Sequence, residues 1–154
     1  MNPRLNPLAV SPKLLQLMVE FGTKVQEAGL EKSLMHLVKI RASQINGCGR
    51  CLEMHTREAR KSGESEERLY LLDAWRESPL YSPRERAALA WTEALTLVAS
   101  TRAPDDAYEQ LKAEFNDEDS VKLTMLIGVI NGWNRLSVGY RLGFMNVQPP
   151  TATP

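Results

Sequence analysis

The chain has 154 residues, 43% apolar and 25% charged, and its 19 basic side chains cancel its 19 acidic ones. That size suggests one domain, 1–154, large enough to bury a core without disulfide staples or a metal. With no net charge and no basic patch, nucleic acid is excluded as an expected partner, and the longest apolar runs, such as 125–130, are too short for a bilayer.

The N-terminal Met1-Asn2-Pro3-Arg4-Leu5-Asn6-Pro7 lacks the apolar segment of a secretory signal, so the expected location is cytoplasmic. Residues 1–11 are proline-rich and read as an irregular tail before a core of about 12–145. Ser11 followed by Pro12 is a helix-start signal. Leu14, Leu17, Met18, Phe21 and Val25 then recur at helical spacing up to Gly29. Leu34, Leu37, Val38, Arg41 and Ile45 predict a second helix, which Gly47 closes in the left-handed conformation. A third runs from near Cys48 to Lys61, and Ser65 to Asp73 gives a short fourth. Ser82-Pro83-Arg84-Glu85 combines a cap, a proline and a capping-box glutamate. It opens a helix with Ala87, Ala88, Trp91, Ala94, Leu95 and Val98 on one face. Asp105 to Phe115 is a further amphipathic segment.

The last helix starts around Asp117 to Asp119 and carries Leu126, Val129, Ile130, Trp133, Leu136 and Tyr140, a wide apolar face that implies deep burial. Gln148 to Pro154 reads as a disordered tail. No segment alternates like a strand, so the expected fold is an all-α single-domain bundle of about six to seven helices. Ile45-Asn46-Gly47-x-x-Arg50 recurs as Ile130-Asn131-Gly132-x-x-Arg135, either a trace of two related halves or a coincidence.

The chemistry concentrates in Cys48-Gly49-Arg50-Cys51-Leu52-Glu53-Met54-His55, which holds both cysteines and one of the two histidines. On a helix these three side chains share a face. In a reducing compartment a close cysteine pair is more often catalytic or metal-binding than structural. The thiolate is the reactive form, and a free thiol with a pKa near ~8.5 supplies little of it at neutral pH. A helix N-terminus and a histidine proton acceptor both enrich it. One sulfur oxidised to sulfenic acid can be closed by the other as a disulfide, with loss of water.

The stretch from Ser43 to His55 resembles the core motif of the alkylhydroperoxidase-D-like branch of the carboxymuconolactone decarboxylase family. Leu37-Val38-Lys39-Ile40-Arg41, the run from Glu85 to Glu93 and Asn131-Gly132-Trp133-Asn134-Arg135 resemble it too. The resemblance covers most of residues 30–140. It implies a helical, homo-oligomeric protein, commonly a trimer or hexamer, that reduces peroxides through its dithiol. It makes Cys51 the peroxide-attacking sulfur, Cys48 the resolving one and His55 part of a proton relay. The partners it implies are a small-molecule peroxide and an external dithiol reductant, such as a lipoyl-bearing protein, with no separate cofactor. One position departs from the pattern: twelve residues before the first cysteine the family usually has glutamate, and here it is His36. His36 can relay protons through water, but it supplies no carboxylate to His55. Glu31 and Glu53 are near in sequence, though not at the matched position.

Blander readings of the same residues are two buried cysteines acting as small hydrophobes and histidines without partners. Arg41, on an otherwise apolar face, is expected to pair with a buried carboxylate such as Glu93. Trp91 and Trp133 read as core or interface anchors, and Tyr81 with Arg84, Glu85 and Arg86 as a solvated helix start. Cys48, Cys51, His55 and His36 also form the ligand set of a tetrahedral zinc site. A non-catalytic redox sensor would use the same thiols, while lactone decarboxylation in the family does not rely on a paired-thiol motif.

Overall fold

The computed structural model describes residues 2–143, so the expected tail at Gln148–Pro154 lies outside the described residues. Among them are nine helices, one 3-10 turn at Leu72–Ala74 and no strand. In chain order the helices are α1 (Pro7–Val10), α2 (Pro12–Gln26), α3 (Lys32–Ile45), α4 (Gly49–Lys61), α5 (Glu66–Tyr70), α6 (Pro83–Thr96), α7 (Val98–Thr101), α8 (Asp105–Glu114) and α9 (Asp117–Gly139). No helix among the described residues is long and apolar enough to cross a membrane.

Two expectations at the N-terminus are corrected. The segment 1–11 is not wholly irregular: the Asn6 side chain accepts from the Leu8 amide, Pro7 sits in the first turn, and one helical turn forms. The α2 stripe is also rotated from the predicted one. Its inward row is Leu15, Met18, Gly22 and Val25, whereas Leu14 and Leu17 are 66% and 61% exposed and Phe21 is exposed too. Two adjacent apolar rows satisfy helical spacing here, and α9 selects the one containing Gly22. A Cβ on Gly22 would come within 3.3 Å of Val129 Cγ1, so the missing side chain sets how closely α2 approaches α9.

Helices α3 and α6 form a wall between two apolar clusters. On one side Leu34, Met35 and Val38 of α3 meet Ala87, Ala88, Trp91 and Ala94 of α6, Leu111 and Phe115 around α8, and Leu123, Leu126 and Ile127 of α9. On the other, Leu37 and Ile40 of α3 and Leu89 and Ala90 of α6 meet Ala59 of α4 with Leu69, Leu72, Trp75 and Tyr81. Side chains on both faces of α3 are therefore buried, and only Lys32 and Ser33 in its first turn are exposed.

The capping box at Ser82 and Glu85 forms as expected. Tyr81 does not lie in a solvated helix start: it is buried, and its hydroxyl donates to the Arg68 carbonyl. Arg86 beside it donates to the carbonyls of Trp75, Arg76 and Ser78. The backbone between α5 and α6 thereby replaces solvent for both side chains. Arg41 does pair with Glu93, Nε to Oε1 at 2.8 Å, and Trp75 Nε1 donates to the same oxygen at 2.8 Å. Burial raises the Glu93 pKa, but these donors and Arg76 outweigh it and hold the carboxyl below its ordinary value.

The repeated Ile-Asn-Gly motif has a spatial meaning. Asn46 Nδ2 donates to Asn131 Oδ1 and to Asn134 Oδ1, both at 2.9 Å, and Asn134 Nδ2 donates to Ser43 Oγ at 3.1 Å. The end of α3 is thus tied to the middle of α9 by an amide network, and Asn134 within it is fully buried.

Candidate redox site

The cysteine helix begins directly where α3 stops. Gly47 takes φ +65° just past the Asn46 cap. Its amide bonds to the Gln44 carbonyl at 3.1 Å and that of Cys48 to the Ser43 carbonyl at 3.0 Å. This is a Schellman closure, and glycine meets its positive φ without steric cost. Cys48 is at once the second residue past the α3 cap and the N-cap of α4, its sulfur 3.4 Å from the Cys51 amide. The amide network behind it fixes where α4 starts, and so where the sulfurs sit.

Cys48 and Cys51 are joined in a disulfide, with Cα atoms 5.3 Å apart. That spacing lies within the range the bond tolerates. Cys51, His55 and Ala59 make the buried row of α4. Cys51 and His55 open into one cavity of about 350 Å³ between α2, α3, α4 and α9. Val19, Met54, Leu126, Val129, Ile130 and Trp133 give it apolar walls, so Trp133 is a cavity wall. Ser137 Oγ lies 3.7 Å from Cys51 Sγ, where its hydroxyl can donate to the sulfur. Cys48, also buried, does not line the cavity.

His55 is 8% exposed, and its Nδ1 is 3.0 Å from Glu58 Oε2. A carboxylate only accepts, so this contact places the ring proton on Nδ1 and leaves Nε2 as a base. Burial pushes the His55 pKa below its ordinary 6.5; the Glu58 hydrogen bond opposes this, and the Lys39 charge adds to it. The imidazole is therefore a neutral acceptor at neutral pH.

His36 is not brought to the sulfurs. It lines a separate depression with Ser33, Ser62, Glu64, Arg68 and Glu85. Its Nε2 is 3.3 Å from Ser62 Oγ and its Nδ1 is buried without a hydrogen-bond partner. Burial, then Lys39, lowers its pKa below 6.5. It and His55 feel each other electrostatically. The four-ligand zinc arrangement does not form: among the described residues no group of three or more His, Cys, Asp or Glu side chains is arranged to hold a metal ion.

The carboxylate absent at position 36 enters instead from Glu58, three residues beyond His55 on the same helix. That i,i+3 spacing was the available signal. Sequence reasoning also passed over Ser137 and Lys39, which reach the cavity from α9 and α3. Ser137 is 86 positions from Cys51 and left no local signal, while Lys39, on the helix before the cysteines, reads in sequence as an ordinary solvated lysine.

Comparison with known proteins agrees with this architecture. The chain is 39% identical over 138 residues to the uncharacterized protein YdfG of Bacillus subtilis, covering 90% of this chain and 94% of that one. The crystal structure of ATU0492 from Agrobacterium tumefaciens superposes with a TM-score of 0.89 at 45% identity, over 97% of this chain and 100% of that one. ATU0492 is a protein of unknown function with a proposed assignment as the antioxidant defence protein AhpD. The debrominase Bmp8 shares the fold, at a TM-score of 0.75 and 17% identity over 87% of this chain and 72% of that one. The model of the carboxymuconolactone decarboxylase family matches residues 12–94, more than half of the sequence, and the chain belongs to that family.

Proposed function

We propose that this protein is a thiol-dependent peroxidase of the alkylhydroperoxidase-D-like kind, working in the cytoplasm as a homo-oligomer. The observation that carries the reading is the cavity that exposes Cys51, disulfide-linked to Cys48, beside a neutral His55 held by Glu58. In the reduced protein His55 Nε2 takes the Cys51 thiol proton. The thiolate attacks a peroxide oxygen, the O–O bond breaks, and the leaving alkoxide takes the proton back as an alcohol. Cys51 is then a sulfenic acid. The Cys48 thiol displaces its hydroxyl as water, closing the disulfide. An external dithiol reopens the bond by exchange and leaves as its own disulfide. In this cycle Cys51, Cys48 and His55 are catalytic and Glu58 is a positioning residue. His36, outside the cavity, affects the site electrostatically. An intact cysteine pair favours this chemistry over lactone decarboxylation.

Stopped-flow oxidation of the reduced protein by several peroxides, with thiol mass spectrometry at each time point, tests the reading. Cys51→Ser is expected to abolish peroxide consumption, and Cys48→Ser to accumulate sulfenic acid on Cys51. Full turnover by Cys51→Ser would overturn the assignment.

A further inference from the structure

The cavity contains a cation that the proposed cycle does not use. Lys39 comes from α3, is only 7% exposed and lines the same space as Cys51. Among the described residues its ammonium makes one side-chain hydrogen bond, to Gln26 Oε1. An ammonium has three donors, so two N–H bonds remain for whatever fills the cavity. The opposite charge that acts on it is Glu58, and that carboxylate is already held by His55. Burying a charge without full pairing is costly, and a few polar groups set in a largely apolar pocket are what fixes a ligand's orientation. Burial lowers the Lys39 pKa below its ordinary 10.5, the response of a desolvated ammonium that lacks a full counter-charge. Arg50 adds a second cation to the lining. Against these two cations the lining carries one carboxylate, Glu58, and neutral polar groups from Thr23, Gln26 and Ser137, while the α9 side is led by apolar Leu126, Val129, Ile130 and Trp133.

We infer that the cavity takes an amphipathic small molecule with one carboxylate, its acid group on Lys39 and its apolar body along the α9 wall. About 350 Å³ is at the small end of ligand sites, which suits a medium-chain acid rather than a long lipid. What the molecule does there rests on the peroxidase reading: a hydroperoxide carried on that body would be reduced to the alcohol at Cys51. Its binding does not rest on that reading.

Calorimetry on the disulfide form with octanoate, octanol and octylammonium as probes separates the two. Octanoate is expected to bind at least tenfold tighter than octanol. Lys39→Met should remove that preference while keeping octanol binding, and Lys39→Arg should retain most of it. Octanoate binding no tighter than octanol, a preference for octylammonium, or an unchanged preference in Lys39→Met would each overturn the proposal. The comparison of probes on the unaltered protein stands even if Lys39→Met fails to fold. Octanoate binding without peroxide turnover would refute the peroxidase reading alone. Turnover indifferent to head-group charge, with no carboxylate preference in binding, would refute this inference alone.

Discussion

Glu58 Oε2 lies 3.0 Å from Nδ1 of His55, one turn further along α4. The carboxylate that the sequence lacks at position 36 is therefore delivered to the imidazole from the redox helix itself. The pair has the logic of an acid that orients a base: it fixes the tautomer and leaves the other nitrogen to accept a proton.

Glu58→Gln removes that orientation, because an amide can also donate to Nδ1. The rate of Cys51 oxidation by peroxide should fall by about 10- to 100-fold. Glu58 raises the His55 pKa against burial, so its loss should also move the acidic limb of the pH–rate profile to lower pH. A purely structural role would lower the rate without moving that limb.

The buried His55 and the half-buried His36 make stability depend on pH. Both have folded pKa values below the ordinary 6.5, through burial first and then neighbouring lysines. The unfolded chain thus binds more protons as pH falls through 6.5, and stability is lost downward from that point and is complete above it. Urea midpoints should be lower at about pH 5.5 than at about pH 7.5, and a His36→Gln/His55→Gln double variant should flatten the difference. Glu31, Glu85 and Glu93, held below the ordinary 4.5, begin to lose their contributions only below that value, so the loss just under pH 6.5 belongs to the histidines.

Asn134→Ala should be among the more damaging single changes away from the sulfurs. It removes the acceptor for Asn46 Nδ2 and the donor to Ser43 Oγ at a fully buried position. A loss of about 2–4 kcal/mol in urea unfolding is expected. Because the network anchors the end of α3 that leads into Cys48, the variant should also close its disulfide more slowly after sulfenic acid forms.

The outward row of α2 offers a test of assembly. Leu14, Leu17 and Phe21 form an exposed apolar face on α2. Under the proposed homo-oligomer, light scattering should give a mass several times 17.3 kDa. Leu14→Glu/Leu17→Glu should reduce it towards the monomer, and a monomeric unaltered protein would remove that part of the proposal.

Much of this molecule was legible in local pattern. The all-α class, the capping box at Ser82, the left-handed stop at Gly47, the helix that starts at Cys48 and the Arg41–Glu93 pair all follow from rules that span a few residues or from a charge stranded on an apolar face. The approach of Cys48 to Cys51 is likewise local, since a spacing of three residues at a helix start fixes it. Tertiary structure decided which apolar row of α2 faces inward, that Tyr81 is buried, and that His36 lines a depression separate from the Cys51 cavity. It also brought Ser137 to Cys51 and Lys39 into the same cavity, and paired Asn46 with Asn131. A helix rotates its side chains by fixed steps about its own axis, so spacing tells which residues share a face. What that face meets depends on how α2, α3, α4 and α9 pack, and their contacts join residues up to about ninety positions apart in the chain.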